Sequence, residues 1–65
     1  MSETNISQSL RTLANQMDYM ANAMEKYAKT NLDGEVRDHA NELRGAANIA
    51  RSWADGIEDA QNEQD

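Results

Sequence analysis

Sixty-five residues with a net charge of −6, one histidine, no cysteine and no proline leave few ways to stabilise a domain. A core this small usually leans on disulfides, metal or self-association. The first is excluded, and so in practice is structural zinc, which takes cysteine and histidine ligands. The acid excess argues against DNA or RNA, whose binding rests on neutralising phosphates.

The N-terminal stretch "MSETNISQSLRTL" shows no basic segment before an apolar one, and no apolar run is long enough to cross a membrane. The expectation is a cytoplasmic protein without a membrane partner. Apolar residues then fall at Ile6, Leu10, Leu13, Met17, Met20, Met24 and Tyr27, alternately four and three apart. That repeat predicts a helix over about 5–30 with one apolar seam, capped by Ser2 or Thr4. The segment "TNLDG" interrupts it. Asn31, Asp33 and Gly34 are turn formers, which places a turn at about 31–34, with Asp33 as cap of the next helix. A second repeat at Val36, His39, Leu43, Ala46, Ala50, Trp53, Ile57 and Ala60 predicts a helix over about 35–61, with a frayed tail at 62–65. The fold class is all-α: an antiparallel two-helix hairpin, one domain, assembling into a helical bundle oligomer.

With Leu10 and Val36 as heptad position a, position e is Ala14, Ala21 and Ala28 in the first helix and Ala40, Ala47 and Ala54 in the second. An alanine seam allows close helix approach. Alanine's helix propensity is the other reading of the same pattern. Position b reads Arg11, Asp18, Glu25 and then Arg37, Arg44, Arg51, Glu58. Antiparallel pairing about Gly34 sets Arg11 against Glu58, Asp18 against Arg51 and Glu25 against Arg44. Exposed pairs stabilise little, so these select register. A hairpin closed on alanine leaves the large residues at a and d uncovered. A second hairpin covers them economically, so the expectation is a homo-oligomer, a dimeric four-helix bundle being the simplest and larger rings also being open.

Catalysis finds no motif. His39 sits at position d, where a core or interface histidine is the ordinary reading. No nucleophile–base set, phosphate-binding glycine loop or metal-ligand spacing is present, so the expectation is no enzyme, no metal and no cofactor. Two places are candidates for ligand binding. Lys26, Tyr27, Lys29, Arg37 and His39 lie around the turn; Arg37 has no acid opposite it, and the group could hold a phosphate and stack a base. Lysines at a helix C-terminus also simply favour the macrodipole. Trp53 stands between Gly45 and Gly56, each of which weakens a helix. The glycines admit a close neighbour or ligand beside Trp53, or are tolerated next to an ordinary core tryptophan. Met17, Met20 and Met24 continue the leucine positions as core, an adaptable binding groove being the other reading of the stripe.

Residues from about Ala23 to Ala54 resemble the short helical-hairpin domain of phage anti-defence proteins. The matching features are the turn from Thr30 to Asp33, Glu35 after the cap, and Leu43-x-x-Ala46-x-x-Ile49-Ala50. That family has an aromatic where Ile49 stands and proline in its turn, and this chain has neither. The resemblance implies an oligomer that sequesters a cyclic-nucleotide or ADP-ribose immune signal without catalysis. Lys26, Tyr27, Lys29, Arg37 and Trp53 are the ligand-binding candidates. The alternative is an acidic regulator or inhibitor that binds a host protein, imitating nucleic-acid charge.

Overall fold

The computed structural model describes residues 5–64, with side chains from 6 to 62. Two helices, α1 (Asn5–Asn31) and α2 (Gly34–Gln64), pack against each other as an antiparallel hairpin, and the described residues contain no strand. The caps expected at Ser2 and Thr4 lie outside the described residues. Both helices outrun the expected bounds. The region expected to fray is helical to Gln64, since nothing after Gly56 breaks a helix.

The turn is tighter than "TNLDG" implies. Asn31 ends α1 and Gly34 begins α2, leaving Leu32 and Asp33 between them. Leu32 takes the left-handed conformation at φ 53°. The Asp33 amide then donates to the Ala28 carbonyl at 2.9 Å, the six-to-one bond of a Schellman ending. That place is ordinarily glycine's, because a Cβ there meets the following carbonyl. Gly34 is instead helical, with no positive φ. Thr30 Oγ1 donates to the Lys26 carbonyl and Asn31 Nδ2 to the Tyr27 carbonyl, tying both side chains back onto the last turn of α1. Asp33 starts α2 as expected: its Oδ1 accepts from the Val36 amide at 3.2 Å, and its carbonyl accepts from the Arg37 amide. Glu35 in the first turn and Lys29 in the last turn of α1 complement the two macrodipoles.

The helices close on the alanines. Ala14, Ala21, Ala40, Ala47 and Ala54 are fully buried, Ala28 nearly so, and Ser7 fills the same heptad position near the free end. Ala50 joins them from position a, with Leu10 and Met17 packed alongside. No large side chain is fully buried among the described residues. With the contact centred on position e, the residues at a are half-buried. Position d swings out, exposing Ile6, Leu13, Met20, Tyr27 and Trp53. His39 and Trp53, expected at core positions, are exposed in the hairpin for that reason.

The principal extents are 52 × 18 × 10 Å, the dimensions of a single layer of two long helices. Domains ordinarily bury their apolar faces between at least two layers. Here one broad face is apolar and the other is charged.

Candidate functional site

The charged face carries a repeated clasp. Arg44 donates to Glu25 Oε1 at 2.5 Å, to Asn22 Oδ1 at 2.6 Å and to Asn41 Oδ1 at 3.4 Å. One heptad on, Arg51 donates to Asp18 Oδ2 at 2.5 Å, Asn15 Oδ1 at 3.0 Å and Asn48 Oδ1 at 3.2 Å. Near the free end the polarity reverses: Arg11 of α1 reaches Glu58 through two nitrogens and Asp55 at 2.6 Å. All three expected ion pairs form. The asparagines were not anticipated, although Asn15 and Asn22, like Asn41 and Asn48, stand one heptad apart on the flank of the position-b row of each helix. Arg44 holds the Glu25 carboxyl below its usual value. Arg11, and then the Ser7 hydroxyl, do the same for Glu58.

Arg37 belongs to this repeat. The pattern Arg-x-x-Ala-Asn/Asp begins at Arg37, Arg44 and Arg51 alike. In the clasp register, however, Arg37 falls opposite Leu32, where α1 has already ended. Its side chain makes no hydrogen bond or ion pair with the described residues, and neither do the side chains of Lys26 and Lys29. The hairpin therefore satisfies three arginines and leaves three cations open around its turn.

Two open depressions lie there. One, of about 350 Å³, is lined by Lys29, Arg37, Asp33, Gly34, Ala28 and Leu32. The other, of about 360 Å³, is lined by Lys26, Lys29, Asn22, Ala23, Glu25 and Tyr19. Lys29 is common to both. Arg37 and Lys29 also act electrostatically on Glu25, while Glu42, Glu35 and Asp38 act in the opposite sense on His39, so both signs of charge flank the turn.

The five candidate residues thus separate. Lys29 meets Arg37 in one depression and Lys26 in the other. Tyr27 lines neither: it sits in the exposed row of the apolar face. The aromatic beside the lysines is Tyr19, 76% exposed. Its signal was its place one heptad before Lys26. Trp53 stands sixteen residues beyond Arg37 on one helix, about 24 Å along the axis, too far to share a ligand with it inside one hairpin.

His39 bonds Glu42 through Nδ1 at 2.9 Å, and that contact raises its pKa. Among the described residues no three His, Asp or Glu side chains form a metal-binding group, and no helix is long and apolar enough to cross a membrane. A Cβ built on Gly45 or Gly56 meets no atom within 4 Å, so packing inside the hairpin does not require glycine at either place. The chain matches no family model, no curated protein and no solved structure.

Proposed function

We propose that the chain is a non-enzymatic binding protein that acts as a homo-oligomer of hairpins and sequesters a small phosphorylated nucleotide at its turn end. The observation that carries this reading is Arg37. It is an arginine in the clasp register without an acid to hold, beside Lys29 and an open depression. A guanidinium with free donors beside an ammonium suits phosphate oxygens. Lys26 adds charge from the adjoining depression, where Tyr19 offers a ring to a base. Tyr27 and Trp53 enter the site only if a second copy brings them there. The likeness of Ala23 to Ala54 to phage anti-defence hairpins points to a cyclic nucleotide or ADP-ribose signal as the ligand class.

The reading is tested by calorimetry against cyclic dinucleotides and cyclic ADP-ribose isomers. Binding that is lost in Arg37→Ala and in Lys29→Ala supports it. An absence of heat with every member of the panel overturns it.

The exposed apolar row supports a second reading, an acidic regulator that docks a host protein. A stable complex with one host protein, in place of nucleotide binding, is the result that favours it.

A further inference from the structure

The apolar face has a self-complementary pattern. Along α2, position d alternates large and small: His39, Ala46, Trp53, Ala60. About a centre between Ile49 and Ala50, Trp53 is placed as far on one side as Ala46 is on the other, and His39 pairs likewise with Ala60. Reversing a second α2 over the first about that centre sets each large side chain over an alanine. The Asp18–Arg51 and Glu25–Arg44 bonds fix which part of α1 lies level with that centre: the step between Tyr19 and Met20, half a residue or about 0.75 Å from Met20. Reversal about Met20 places it on its own copy and sets Leu13 over Tyr27. One axis therefore serves both helices.

Charge favours the same arrangement. Residues 26–51 carry Lys26, Lys29, Arg37, Arg44 and Arg51 against Asp33, Glu35, Asp38 and Glu42, whereas 52–65 carry five acids and no base. Reversal lays the less acidic half of one copy over the acidic end of the other. Stacking with both turns at one end would bring two acidic ends together. The face itself needs a cover. Leu13, Met20 and Ile49 are each about half exposed and Trp53 is 62% exposed, while nothing larger than alanine is fully buried.

We infer that a second copy of this chain covers the apolar face with a two-fold axis crossing the hairpin. It packs α1 on α1 and α2 on α2 in reverse direction, with Trp53 of each copy over Ala46 of the other. This rests on the proposal of self-association and is independent of nucleotide binding.

The test combines sedimentation with cross-linking. The chain has no cysteine, so single introduced thiols report geometry. The wild type is expected to be a dimer. Met20→Cys should cross-link with itself under oxidation, while Gly34→Cys, at the open turn, should not. Ala46→Trp should weaken dimerisation at least tenfold by overpacking, and adding Trp53→Ala should restore it, because the exchange preserves each large–small pair. A chain that stays monomeric at 100 µM overturns the inference, as do preferential cross-linking at position 34, a trimer or larger ring, and a double variant weaker than Ala46→Trp alone. A monomer that still takes up nucleotide separates failure here from failure of the ligand proposal.

Discussion

The two broad faces of the hairpin are built from the same heptads and end in opposite states. On the charged face Arg11, Arg44 and Arg51 each find an acid, so that surface is closed within one chain everywhere but at Arg37. On the apolar face the row from Ile6 to Tyr27 and Trp53 on α2 remain open to water. The difference follows from where the helices touch. Contact at position e draws b and a to either side of the seam. Long polar side chains at b can reach across and meet, whereas apolar side chains at a and d stop at the surface. Closing on alanine thus shapes a register-selecting charged face and an unfinished apolar one.

Substitutions that disturb the seam should have the largest effect on this division. Ala47→Leu puts a bulky side chain where none is exposed and should destabilise by about 1–3 kcal/mol. Thermal melting by circular dichroism checks this, and an unchanged Tm would mean that the helices do not close on alanine. A smaller effect of opposite sign is expected at the turn. Leu32→Gly relieves the left-handed strain of a residue that is 91% exposed, and should stabilise by about 1 kcal/mol. Gly45→Ala and Gly56→Ala distinguish the two faces more finely. Each should raise hairpin stability by about 1 kcal/mol, through helix propensity alone, because the added methyl enters open space. A gain in Tm accompanied by weaker self-association or ligand binding would assign that glycine to a neighbour's approach.

The smallest effects belong to the clasps. Glu58→Gln removes a carboxylate whose pKa lies below the ordinary 4.5 because Arg11 bonds it. A carboxylate with a lowered folded pKa contributes stability that is complete above 4.5 and lost as pH falls through the folded value. The Tm difference between wild type and Glu58→Gln should therefore be small at pH 7, because the pair is exposed, and should vanish as pH falls through the lowered folded value. A difference that persists in acid would contradict the ion-pair account. His39 has the opposite sign. Its contact with Glu42 raises its pKa, so that contact stabilises below pH 6.5 and fades as pH rises through the folded value.

Much of the fold was legible in the sequence because a heptad repeat is geometry. Position e named the six seam alanines, position b named the three ion pairs, and Asp33 was readable as a cap from its place before Glu35 and Val36. The turn was less legible. Gly34 looked like the residue for a positive φ, yet Leu32 takes it, because closing α1 with the Asp33–Ala28 bond and opening α2 on Asp33 leave only that place for it. The candidate site was legible in part. Heptad bookkeeping identified Arg37 as unpaired, but grouping it with Tyr27 and Trp53 ignored that one faces the apolar side and the other lies about 24 Å along α2. Tyr19 and the clasp asparagines were overlooked because neither belongs to the apolar repeat from which the elements were read.

Trp53 is the only tryptophan in the chain and lies on the face whose fate decides the account. Its fluorescence emission, followed from nanomolar to several hundred micromolar protein, tests the central claim most directly. A shielded, blue-shifted indole at high concentration, giving way on dilution to a water-exposed one, is the predicted result. The emission of a fully exposed indole at every concentration would contradict it, and would leave the apolar face uncovered by a second copy.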